Sequence, residues 1–155
     1  MSTQATETGA IRRSVTVECP VEHAFSTFTD RIHEWWPLDT YSIDLDETGS
    51  PPETVVFDGP GGRVYERTKK GEELEWAHVT AFEPPTRLVL AWSPSREERP
   101  RTEIEVTFTT EGDTTRVDLE HRGFESVGEH AAEMRQGYAS GWPGVLASYE
   151  QRASS

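Results

Sequence analysis

"SVGEHAAEMRQGYASGWPGVLASYE", residues 126–150, decides the fold. Val127, Ala131, Met134, Tyr138, Trp142, Val145 and Tyr149 recur at intervals of four, three, four, four, three and four. That spacing draws one apolar stripe along an α-helix of about six turns. Ser126 followed three residues later by Glu129 has the spacing of a capping box, so the helix is expected to open at Ser126. Pro143 stands inside the stripe. It brings no backbone donor and crowds the carbonyl of Ala139, which predicts a kink there.

What this helix must cover lies before it. "ETVVF" (53–57), "GRVYERT" (62–68), "EELEWAHVTAF" (72–82), "TRLVLAW" (86–92), "TEIEVTF" (102–108) and "TTRVDLEH" (114–121) all read as strands. Between them stand "DGPGG", "KKG", "EPP", "SPSREERPR" and "TEGD", which are turn chemistry. Connections this short imply an antiparallel meander. A further strand is expected over 11–18, "IRRSVTVE". Pro20 then opens a helix over 20–30, with Val21, Ala24, Phe25 and Phe28 on one face. A second short helix is expected over 31–36, stopped by Pro37. Residues 38–52 carry Asp, Gly, Ser and a Pro-Pro pair and read as loop.

About seven antiparallel strands thus share one major helix. A flat sheet so wide cannot hide its apolar face under a helix roughly 10 Å across, so the sheet must curl around it. The expected architecture is α+β in the order β-α-α-β6-α. Residues 11–151 form a single domain, and residues 1–10 are a tail expected to be disordered. A sheet that grips one helix leaves space between them, and such spaces take small ligands. Composition agrees. Only 34% of the chain is hydrophobic, yet it holds five Trp, four Tyr and six Phe. A modest core of large rings suits a hollow fold.

Charge and cysteine content exclude several classes. A net charge of −13 repels phosphate backbones and anionic membrane surfaces. Nucleic acid is therefore not an expected partner. No run of 18 apolar residues exists, so membrane insertion is not expected either. Cys19 is the only cysteine, which rules out an internal disulfide. "MSTQATETGA" has neither the basic nor the apolar region of a signal peptide, so the expected location is cytoplasmic. The histidines at 23, 33, 78, 121 and 130 show no metal-ligand spacing. The glycines of "DGPGGR" precede a strand and read as a hairpin turn rather than a phosphate cradle, and no G-x-S-x-G occurs. Neither metal nor cofactor is expected.

"FTDRIHEWWP", "GGRVYER", "EWAHVTAFEPPTRLVLAW" and "LEHRGFESVGEHAAEMRQGYASGWPGVLASYE" resemble the SRPBCC, or START-like, helix-grip superfamily. They look most like its branch named after the activator of the ninety-kilodalton heat-shock protein ATPase. The resemblance runs from about Ile11 to Tyr149. It implies a deep cavity between sheet and C-terminal helix. Across the superfamily that cavity binds lipids, sterols, polyketides and plant hormones, and some members use it for cyclisation, dehydration or hydrolysis.

Trp35, Trp36, Tyr41, Trp76, Met134, Tyr138 and Trp142 are the candidate ligand contacts. Each is weighed against a plain core role, because large buried rings are usually core. Neighbours on a helix are about 100° apart, so Trp35 and Trp36 should point different ways: one into the core, the other to the cavity mouth. Strand parity sends His121 inward with Val117 and Leu119, and Glu66 inward with Val64. Glu66 and His121 are therefore the candidate acid/base pair should the cavity be catalytic. Arg63 and Glu75 read as surface charges. Three readings stay open: a binding protein for a small hydrophobic or amphipathic molecule, an enzyme acting on such a molecule, and, by kinship alone, a chaperone-associated protein. Monomer and homodimer both remain open.

Overall fold

The computed structural model describes residues 9–94 and 101–155. Seven antiparallel strands form one curled sheet in the order β1-β7-β6-β5-β4-β3-β2. They are β1 Ile11–Val17, β2 Thr54–Phe57, β3 Arg63–Arg67, β4 Glu73–Glu83, β5 Arg87–Trp92, β6 Thr102–Glu111 and β7 Thr114–Arg122. The last six make the expected meander. β1 closes the edge by pairing with β7, Ile11 opposite His121 and Val17 opposite Thr115. Alternation is strict where both neighbours are long. Thr102, Ile104, Val106 and Phe108 of β6 face the core, as do Thr115, Val117, Leu119 and His121 of β7. The outer face carries ion pairs, among them Arg63–Glu73, Glu75–Arg101 and Arg122–Glu105. These pairs are partly exposed, which limits what each contributes.

Helix α1, Val21–Phe28, buries Phe25 and Phe28 against β6, with both rings edge-on to Phe108. Helix α3, Ala131–Ala153, lies in the grip of the sheet and buries Trp142, Val145, Leu146 and Tyr149. The Tyr149 hydroxyl donates to the Ala24 carbonyl at 2.8 Å and so ties α3 to α1.

Three local expectations need correction. The capping box at Ser126 does not form. Phe124–Val127 is a 3-10 turn, and Gly128 follows at φ 99°, where a right-handed helix cannot continue, so α3 starts only at Ala131. No helix spans 31–36; only Ile32–Glu34 turns, as a 3-10 segment. Residues 38–52 are not all loop, because helix α2, Ile43–Thr48, lies within them. The Ser42 hydroxyl accepts from the Leu45 amide at its start, and Gly49 ends it in the left-handed region at φ 80°. Pro143 stands inside α3. The carbonyl of Ala139, which Pro143 leaves without an intrahelical donor, accepts instead from the Arg13 guanidinium of β1 at 3.2 Å. Of the tail, residues 1–8 lie outside the described residues. The carbonyl of Gly9 accepts from Arg135 of α3 at 2.8 Å.

Candidate functional site

The adjacent tryptophans part company after the 3-10 turn. Trp35 enters the core: it is 4% exposed, its indole N–H donates to the Thr27 carbonyl at 2.7 Å, and its ring packs on Phe28 and Tyr149. Trp36 turns the other way. Its N–H donates to the Tyr41 carbonyl at 2.8 Å, which folds the segment after Pro37 back over its own ring. Ring centroids place Trp36 4.9 Å from Trp76, 6.1 Å from Trp92, 6.2 Å from Trp142 and 5.8 Å from Trp35. All five tryptophans of the chain therefore meet at Trp36.

Beside this cluster opens a pocket of about 520 Å³. Its walls are the 36–46 segment with α2, one tryptophan each from β4 and β5, and the first half of α3. Trp36, Tyr41, Trp76, Met134, Tyr138 and Trp142 line it; Trp35 does not. Tyr41 closes one side. At 41% exposure it is the one exposed large hydrophobic residue among the described residues. It rests on α3 at Gly141, where a Cβ would meet the ring at 3.4 Å, the near limit of ordinary contact. Gly137, one turn earlier, also lines the pocket, and a Cβ there would meet nothing within 4 Å. Asp46, His130 and Glu133 stand exposed at the rim.

The four lining indoles all have acceptors within the protein. Trp36 donates to the Tyr41 carbonyl, Trp76 to Glu66, Trp92 to the Tyr138 hydroxyl and Trp142 to His121. Glu66 is fully buried on β3. Its Oε1 accepts from the Ile43 amide and the Trp76 indole, both at 2.7 Å, and its Oε2 accepts from the Asp44 amide at 2.8 Å. It thus joins the start of α2 to Trp76, two walls of the pocket. His121 is equally buried, between Phe124 and Tyr138. An indole N–H can only donate, so His121 Nδ1 is the acceptor in the 3.1 Å bond from Trp142. Nε2 then carries the proton and donates to Thr102 Oγ1 at 2.7 Å. Burial pushes the pKa of His121 down to about 3 and holds the ring neutral.

The structure does not bring Glu66 and His121 to each other. Three strands separate β3 from β7, each side chain is engaged with other partners, and neither lines the pocket. Trp92, Asp46, Glu133 and the two glycines join the site without having been singled out in the sequence. Trp92 shares the parity of Leu88 and Leu90, a signal that was available. Among the described residues no His, Cys, Asp and Glu group is arranged to hold a metal ion, and no helix is long and apolar enough to cross a membrane.

The sequence matches the family model described as activator of Hsp90 ATPase homolog 1-like protein over residues 18–151. CalC from Micromonospora echinospora, a self-sacrificing resistance protein, is 31% identical, with 95% of each chain covered and a TM-score of 0.72. Txn09, an anthrahydroquino-γ-pyrone synthase, is 29% identical, with 92% of this chain and 96% of that one covered and a TM-score of 0.60. An Aha1 dimer from Colwellia psychrerythraea shares the fold at 16% identity, 94% and 96% coverage and a TM-score of 0.66. No curated protein matches the chain.

Proposed function

We propose, for a chain that belongs to the activator of Hsp90 ATPase homolog 1-like family, that its activity is to bind a small, largely apolar molecule with a flat ring system in the pocket beside Trp36. One observation carries this. Four tryptophans and two tyrosines line a space of about 520 Å³, and the indole N–H groups are all satisfied by the protein. An apolar guest therefore leaves no indole donor stranded when it displaces water. Glu66 and His121 act on this site at one remove, as positioning residues that fix Trp76, α2 and Trp142.

A second reading, ring-forming catalysis on such a molecule, draws on the 29% identity to a synthase whose name describes a fused-ring product. In that case the proton-transfer groups would be those at the rim, Asp46, His130 and Glu133, because Glu66 and His121 are engaged elsewhere.

The test uses neutral 9-(hydroxymethyl)anthracene as probe and intrinsic tryptophan fluorescence as readout. Saturable one-to-one quenching is expected. Gly137→Leu, which fills the open space beside α3, should abolish it while the melting temperature holds. Gly137→Ala should retain it. Absence of saturable quenching, or equal quenching in Gly137→Leu, would overturn the proposal.

A further inference from the structure

We propose that the pocket selects for positive charge: its occupant carries an ammonium group beside the flat apolar body. This rests on the reading that the pocket binds a small apolar molecule, and three features of its electrostatics carry it further.

The first is the orientation of the rings. Trp36 stands at 89° to Trp142 and 51° to Trp76, and Trp76 at 66° to Trp92. These are walls set at angles to one another, not a parallel stack. The N–H groups, the positive edges able to hold an anion, are bonded to protein acceptors. No indole N–H is then left to hold an anionic guest, and any ring face turned to the guest carries the negative end of the quadrupole. Trp faces attract a cation better than those of Tyr or Phe.

The second is fixed negative charge behind the wall. The Glu66 carboxylate sits at 2.7 Å from the Trp76 indole nitrogen and accepts from two backbone amides, with no cationic side chain among its partners. Its charge is fully buried, so water screens it poorly.

The third is the rim. Asp46 on α2 and Glu133 on α3 line the pocket and form no ion pair among the described residues. Among the described residues, His130 is the one lining residue that can carry positive charge. An ammonium on a guest in the pocket would be drawn toward these two carboxylates.

Matched probes test this. 9-(Aminomethyl)anthracene and anthracene-9-carboxylate share one ring system and differ in the sign of their charge. Their dissociation constants, read by tryptophan quenching on the full chain, should differ by about tenfold or more in favour of the ammonium, since one exposed carboxylate at close range contributes about fivefold. The ratio should shrink at high salt. In the double variant Asp46→Asn/Glu133→Gln, checked for folding by its melting temperature, most of the ratio should collapse. Equal affinities for the two ions would overturn the inference and leave the pocket reading intact. So would a ratio undiminished in the double variant, which would trace it to the net charge of the whole chain. If none of the three probes binds, neutral 9-(hydroxymethyl)anthracene included, the pocket reading itself falls.

Discussion

Glu66 is where a single atom tests how the pocket is held. In Glu66→Gln the amide oxygen can take the place of Oε1 and keep the bonds from Ile43 N and Trp76 Nε1. The NH₂ group then faces the Asp44 amide, donor against donor, where Oε2 accepts at 2.8 Å. One charge-assisted bond is lost and two weaken, a destabilisation of about 2–3 kcal/mol. Glu66→Leu removes all three acceptor contacts. At about 1–3 kcal/mol for each stranded donor, less the relief of no longer burying a charge, it should lose about 4 kcal/mol or more. That is a large part of the stability of an ordinary domain. Urea unfolding followed by tryptophan fluorescence measures both, and the graded order, leucine below glutamine below wild type, is the expected result. The reasoning fails if Glu66→Leu melts with wild type, or if both variants lie within about 1 kcal/mol of it. A Glu66→Leu chain too unstable to purify still leaves the Gln variant to be measured.

Trp142→Ala should destabilise by about 3–5 kcal/mol, because it empties a core site and strips His121 Nδ1 of its donor; Trp36→Ala, half-buried beside a loop, should lose less, and equal losses in urea melts would make Trp36 core rather than wall. His121 predicts an acid-sensitive fold. Its folded pKa of about 3 lies below its ordinary 6.5, so the unfolded chain binds a proton that the folded one refuses. Stability from this group is complete above about pH 6.5 and falls as pH drops toward 3, by about 1.4 kcal/mol per pH unit. His121→Gln should flatten that part of the stability–pH curve, and an unchanged slope would refute the assignment.

The frame of the molecule was legible because its signals are long. The strict alternation of β6 and β7 placed His121 inward, and the parity of Val64 placed Glu66 inward. The stripe on α3 identified the gripped helix. Short elements were not legible. Six residues are too few for a helical period, so α2 stayed hidden in a Pro-, Ser- and Gly-bearing stretch, although Ser42 and Gly49 are the cap and stop of that helix. Asp46 stayed hidden with it. Ser126 and Glu129 had the spacing of a cap, but spacing cannot show that the backbone at Gly128 turns out of the helical region. The pocket suffered from a different blindness: pattern reading follows side chains, and Gly137 matters through having none. The two Trp of the 35–36 pair could be assigned opposite directions, but not which was which. That depended on Trp36 bonding to the Tyr41 carbonyl five residues later.

The tryptophan that borders the pocket also touches every other tryptophan, so core and site cannot be tuned apart. A sheet curled around one helix leaves its central rings half-covered: Trp36, Met134 and Tyr138 pack on the core from one side only. Filling the pocket with larger side chains would stabilise the fold and close the site, and glycine at 137, which gives up roughly 1 kcal/mol of helix stability relative to alanine, is the same compromise on the helix side. A guest that completes the packing returns part of that loss as binding free energy. Saturating the pocket at 100 times its dissociation constant should therefore raise the unfolding free energy by about 2.7 kcal/mol. The same occupancy should quench a cluster that contains all the tryptophan in the chain. Variants that remove wall packing, such as Trp36→Ala, should consequently lose binding and stability together, whereas a variant on the outer face, such as Glu105→Gln within the Arg87–Arg122 ion-pair ladder, should leave the probe's dissociation constant unchanged whatever it does to stability. If binding moves as far for the outer-face variant as for the wall, the coupling does not run through the tryptophans.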